Sequence, residues 1–195
     1  MIVGIDFGAK KAGTTVIARM FDHNQVDLLA CKKGEDADDF ILDFIKNNED
    51  VWLAYIDAPL SLPKIYCDEK KGDSFFYRKA DQLTGAMSPM FLGGLTARAM
   101  KIATELEKLG VKPVETYPSK LAEVLQLKEH DYKGSVKSIP ILCNKLKKVS
   151  SFEFDEAAVK SWHHFDALLC LYSAKRHEMQ AAMIFGNEAE GMIIV

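Results

Sequence analysis

The chain is expected to fold as one α/β domain around a mixed β-sheet. Two observations predict this. Three short β-type segments with tight connections come first, as in an antiparallel meander, and strands then alternate with helical segments, the pattern of a sheet with parallel members. A third observation bears on chemistry: apolar segments far apart in the chain end in, or carry, an aspartate. The 195 residues, 48% hydrophobic and 27% charged, suffice for a substantial core without disulfides.

Residues 1–7 read as a buried strand ending at Asp6 and a Gly/Lys turn, Gly8-Ala9-Lys10-Lys11. Residues 13–20 are β-branched, and 26–31 give a third strand. Ala37, Phe40, Ile41, Phe44 and Ile45 fall at helical spacing behind Asp36, a suitable N-cap. Residues 51–57 return to strand, closed by Asp57 and Ala58-Pro59. Residues 58–93 read as an insertion after this fourth strand, mostly loop, with a short helix expected between Phe75 and Leu83. A helix from Leu95 or Thr96 to Leu109 is stopped by Gly110. Residues 111–117 form a strand whose Pro113 argues for an edge position or a bulge. Ser119 is placed to cap a helix from Lys120, another helix covers 139–147, and Phe165, Leu168, Leu169 and Tyr172 make a helical stripe. Residues 192–195 read as a last strand. No repeat, linker or low-complexity tract divides residues 1–195.

Composition bounds the function. The net charge is −3 and the pI about 6.0, so no broad nucleic-acid surface is apparent. Charge is uneven: residues 35–50 are acidic, whereas Lys128, Lys133, Lys137, Lys145, Lys147 and Lys148 form a basic run. Such a run can follow a phosphate backbone or be a solvated helix face. Cys31, Cys67, Cys143 and Cys170 lack metal-ligand spacing and suggest reduced thiols in a cytoplasmic protein. No export signal is expected at the start, and no segment has the length of a membrane helix.

The acids carry the functional expectation. A lone buried carboxylate costs several kcal/mol, on the order of 3 or more, unless it is paired or binds metal. Asp6 and Asp57 at strand ends, with Asp166 early in a helix, therefore suggest a Mg²⁺ or Mn²⁺ site for phosphate chemistry. Ligands of such sheets collect beyond the carboxyl ends of strands, where Glu115 also falls as a fourth candidate. Plainer readings compete. Asp6 and Asp57 can shape their turns, Asp166 can interact with a helix dipole, and Glu115 can pair with Arg78 or Arg98. Arg78, Asp81 and Arg98 suit either phosphate oxygens or an internal ion-pair network. Lys10 is either a phosphate contact or a solvated turn lysine. His163 lies one turn before Asp166, either assisting it or standing exposed at the helix start.

Several motifs, in order, resemble a known family: Gly4-Ile5-Asp6-Phe7-Gly8-Ala9-Lys10, Ile56-Asp57-Ala58-Pro59-Leu60, Arg78-Lys79-Ala80-Asp81, Arg98, Glu115-Thr116-Tyr117-Pro118, Asp166-Ala167-Leu168-Leu169 and Glu190-Gly191-Met192-Ile193-Ile194. Together they are similar to domain-of-unknown-function family 429, a set of predicted nucleases. The resemblance implies a ribonuclease-H-like, five-stranded mixed sheet flanked by helices. It implies Asp6, Asp57 and Asp166 as metal ligands, leaves Glu115 as the fourth carboxylate, and implies nucleic acid as partner; Lys10, Arg78, Asp81 and Arg98 remain the candidates for substrate contact. His163-His164-Phe165-Asp166-Ala167-Leu168 also resembles the H-x-x-D-A-L helix of Holliday-junction resolvases, which carry another acid where this chain has Leu169. Two alternatives stand beside the nuclease: a phosphotransferase of the actin and sugar-kinase kind, suggested by Asp6-Phe7-Gly8 but usually built from two such domains, and a non-catalytic binding module.

Overall fold

In the computed structural model, which describes residues 1–22, 24–67, 72 and 74–195, the apolar opening run forms β1 (Ile2–Asp6), buried along its whole length. β2 (Val16–Asp22) and β3 (Gln25–Ala30) follow as an antiparallel meander. α1 (Ala37–Lys46) starts where Asp36 accepts a hydrogen bond from the Asp38 N–H, the expected N-cap. β4 (Leu53–Asp57) then lies parallel to β1. β5 (Lys112–Glu115) pairs parallel with β4 on its far side. The sheet order β3-β2-β1-β4-β5, with an antiparallel half and a parallel half, is the ribonuclease-H-like arrangement. Pro113 sits in the edge strand β5, where its missing N–H costs no ladder bond.

The sheet is covered on both faces. Alternation along β1 and β4 sends Val3, Ile5, Ala54 and Ile56 toward α1 and α4 (Gly94–Lys108), where they meet Ile41, Ile45, Ile102 and Leu106. The opposite set, Ile2, Leu53 and Tyr55, faces α5 (Pro118–Val124), α6 (Ile139–Ser150) and α7 (Trp162–Glu178). α7 crosses β1 at Gly4, where an added Cβ would lie 2.2 Å from the Leu171 nitrogen and 2.5 Å from the Ala167 oxygen. Gly4 lets this helix backbone touch the strand, and Cys170 Sγ rests 3.5 Å from the Ile5 carbonyl oxygen.

Some elements differ from expectation. Phe75, Phe76 and Tyr77 remain outside a helix; α2 begins later (Lys79–Thr84), where Asp81 accepts from the Arg78 N–H at 2.8 Å. A short α3 (Pro89–Leu92) follows, capped by Ser88. α5 starts at Pro118 rather than behind Ser119, because proline at the first helical position has no N–H to satisfy. The terminal strand β7 (Gly191–Ile194) does not join the main sheet; it pairs with β6 (Ile184–Asn187) in a separate hairpin. That hairpin holds the insertion, since Ser61 donates to the Glu190 carbonyl at 2.7 Å and Glu190 Oε1 accepts from the Lys79 N–H at 2.8 Å. Part of the insertion, 68–71 and 73, lies outside the described residues. No helix among the described residues is long and apolar enough to cross a membrane.

Candidate metal centre

The β1–β4 ladder pairs Asp6 directly with Asp57. Both are the last residue of their strand and share the face covered by α7. Directly opposite residues in a sheet stand close enough for their side chains to interact. Asp166, one turn into α7, is carried over the same point because Gly4 admits the helix so closely. One carboxylate oxygen from each of Asp6, Asp57 and Asp166 lies within 4.8 Å of the others.

The neighbours of this group differ for each acid. His163 Nδ1 lies 2.9 Å from Asp6 Oδ2. Asp166 accepts a 2.6 Å hydrogen bond from the Tyr132 hydroxyl and a 2.8 Å contact from Lys133 Nζ. No side chain among the described residues donates to Asp57. The electrostatics follow from burial and crowding. Burial pushes the Asp6 carboxyl up to about 6, helped by Asp166 and opposed by the His163 hydrogen bond. Burial, then the charges of Asp6 and Asp166, holds Asp57 well above the usual carboxylate range. Asp166 is raised by burial despite Lys133 and Tyr132. In return, Lys133 is raised, the three acids outweighing its own burial. His163 is raised first by its hydrogen bond to Asp6.

Three clustered oxygen donors, one of which takes no side-chain hydrogen bond among the described residues, fit a hard divalent cation. Such an ion relieves the repulsion that otherwise keeps protons on the group.

The other expected residues do not join this cluster, although Arg78 and Glu115 line a cavity together with Asp57. Glu115 pairs across the ladder with Ile56, not Asp57, so alternation turns its side chain to the other face. There it accepts from Arg78 through both carboxylate oxygens, at 2.6 and 2.7 Å, and from the Leu60 N–H at 2.8 Å. Arg78 is fully buried and also grips Asp81 and Ser61. Arg78, Asp81 and Glu115 thus form one internal ion-pair network that ties the insertion to β5. Arg98 pairs with Asp38 at 2.6 Å and donates to the Gly8 carbonyl at 3.1 Å, bracing the turn after β1. Lys10 pairs with Asp36 at 3.1 Å on the exposed side of the same turn.

Tyr132 drew no notice in the sequence, and Lys133 appeared there only as one of a lysine run. Their sole signal is local: Asp131-Tyr132-Lys133-Gly134 reads as a turn, and Asp131 and Lys133 both take left-handed backbone angles. Nothing in that turn announces Asp166 as its target. His163, read from its spacing as an aid to Asp166 or an exposed helix-start histidine, is partly exposed and reaches Asp6 instead.

No family model and no curated protein matches this chain. Among solved structures it is similar to "T. thermophilus RuvC in complex with Holliday junction substrate", at 14% sequence identity and a TM-score of 0.46. The likeness covers 92% of this chain and 96% of that one. No chemistry or ligand is transferred at that similarity, and the ribonuclease-H-like assignment rests on the sheet order of this chain itself.

Proposed function

We propose that this protein is a divalent-metal-dependent nuclease, a hydrolase that cuts phosphodiester bonds in nucleic acid. The convergence of Asp6, Asp57 and Asp166 at the carboxyl end of a ribonuclease-H-like sheet carries this reading. The ordered motifs that resemble domain-of-unknown-function family 429 agree with it. Asp6, Asp57 and Asp166 would hold the cation. When bound, Mg²⁺ or Mn²⁺ supplies charge neutralisation at a phosphodiester and makes water a better nucleophile at neutral pH.

The chain's own residues prepare the site. His163 fixes Asp6, and Tyr132 fixes one oxygen of Asp166. Lys133, held against Asp166, offers a cation within reach of a phosphate oxygen beside the cluster. Lys10 belongs to the turn that follows Asp6 in the chain, and Arg98 is tied to that turn through the Gly8 carbonyl. The buried Arg78–Asp81–Glu115 network is architectural in this reading: with its charges already satisfied, it shapes the wall next to Asp57 and leaves phosphate to others.

The test is cleavage of a panel of single-stranded and duplex DNA, RNA and branched junctions in Mn²⁺ or Mg²⁺. Asp57→Asn should lose at least about a hundredfold in rate, the scale of one lost transition-state contact. A wild-type protein inert on the whole panel that binds ATP instead would favour the phosphotransferase.

A further inference from the structure

A cavity of about 270 Å³ opens beside the acid cluster, and Asp57 belongs to its lining. Its walls are Phe7, Pro59, Met87, Leu92, Leu95 and Tyr117. Of the polar groups that border it besides Asp57, the side chains of Arg78, Glu115 and Thr116 are engaged. The Arg78 guanidinium is spent on Asp81, Glu115 and Ser61, and both Glu115 oxygens are taken. Thr116 donates to Ser173 at 3.0 Å. The cavity therefore offers no free charge to a phosphate or carboxylate. It offers apolar, partly aromatic walls of a size just under the usual ligand range of about 300–1,000 Å³.

An exposed aromatic cluster adjoins two of the lining residues in sequence, Phe91 preceding Leu92 and Tyr77 preceding Arg78. Phe91, next to Leu92 on α3, is 61% exposed, and Phe76 is 52% exposed. Their ring centroids lie 5.5 Å apart, with Tyr77 5.8 Å from Phe91. Ser88 fastens this cluster by donating to the Phe76 carbonyl. Contiguous exposed aromatic surface of this kind marks an interaction site.

A nucleotide has both parts that this geometry separates: an anionic phosphate suited to a cation at Asp6, Asp57 and Asp166, and a flat, apolar-faced ring suited to the cavity. From this juxtaposition we infer that the cavity beside Asp57 receives one unpaired nucleobase, and that Phe76, Tyr77 and Phe91 stack the neighbouring bases of the same strand. The inference rests on the nuclease reading and narrows it to substrates with an unstacked nucleotide at the cut: a single strand, or a base extruded from a duplex. A base pair held inside a helix is too large for a cavity of about 270 Å³. Because the Arg78, Glu115 and Thr116 side chains are engaged, the walls select mainly by shape and stacking, with weak preference among bases.

The experiment uses the full chain in Ca²⁺ with a single-stranded oligonucleotide containing one 2-aminopurine, and the same strand in a duplex. Single-strand binding should be tighter than duplex binding and should change the 2-aminopurine fluorescence. Phe91→Ala, an exposed substitution that leaves the core intact, should weaken single-strand binding roughly tenfold or more. Leu92→Trp should fill the cavity and abolish the fluorescence change while the Mn²⁺-induced rise in melting temperature persists. Equal affinity for strand and duplex, or wild-type binding by both variants, with the Mn²⁺ response intact, overturns the base pocket and leaves the metal site standing. A concentration-dependent dimer lost in Phe91→Ala gives the aromatic cluster to a second copy of the chain and overturns the stacking role. A wild type that binds no nucleic acid and whose melting temperature ignores Mn²⁺ fails the nuclease reading beneath.

Discussion

Replacing Asp6 with asparagine removes one negative charge from the cluster and nearly preserves its shape. Burial and neighbouring charge lift the Asp6 carboxyl from 3.8 to about 6. At about 1.4 kcal/mol per pKa unit, keeping it ionised above that pH costs the folded protein about 3 kcal/mol. Part of the gain is lost where the asparagine amide meets His163, so Asp6→Asn should stabilise the metal-free protein by at least about 1 kcal/mol, or roughly 2–4 °C for a chain of this size. The pH dependence has a definite sign. Between about pH 4 and 6 the native state holds a proton at Asp6 that the unfolded chain has released, so metal-free stability falls as pH rises. His163, whose folded pKa is raised, adds in the same direction: its contribution is full below its unfolded value near 6.5 and is lost as pH climbs through the raised one. Asp6→Asn should flatten the slope between pH 4 and 6. Mn²⁺ at a hundred times its dissociation constant adds about 2.7 kcal/mol to the wild type, roughly 5–11 °C, and this rise should vanish in the variant. Differential scanning calorimetry across pH, with and without Mn²⁺, reads all three effects. A variant that melts below wild type at pH 7.5 and gains equally from Mn²⁺ would refute both the repulsion and the ligand role.

Arg78→Met should cost about 3–5 kcal/mol, seen as a lowered melting temperature, because it leaves Asp81 and Glu115 buried without their cation. Lost cleavage with unchanged stability would instead make Arg78 a substrate contact. Gly4→Ala should cost about 3 kcal/mol or more, since its Cβ meets helix backbone rather than an adjustable side chain. By displacing α7 it should also weaken the Mn²⁺-induced rise in melting temperature; a Gly4→Ala protein with wild-type stability would contradict the close crossing.

β1 and β4 were legible because apolar runs ending in an acid are unusual; that the ladder makes Asp6 and Asp57 partners is seen only in the structure. Asp166 was legible from helical periodicity. Glu115 shows where such reading stops: its strand and its place at the strand end were foreseen, but side chains alternate with period two, and a register offset of one residue sends it to the opposite face. Pairing register is a long-range property that a local window does not contain. β6 escaped for a related reason. Ile184–Asn187 contains Gly186 at φ 95° and owes its extended form to pairing with β7. The helical start expected at Phe75 failed because Asp81 sets the helix boundary by capping Arg78, leaving the aromatic residues before it on the surface.

The pairing of Asp6 with Asp57 acts as a fixed ruler. Strands in a sheet stand about 4.8 Å apart, a spacing set by backbone hydrogen bonds that no side-chain substitution can stretch. Two jaws of the site are thus rigid, and the third rides on α7, whose height above the sheet is set where Gly4 meets Ala167 and Leu171. Adjustment of the site to ions of different radius therefore falls to one degree of freedom, the seating of a single helix. Residues far from any carboxylate, wherever they raise or lower that helix, hold the means to retune it.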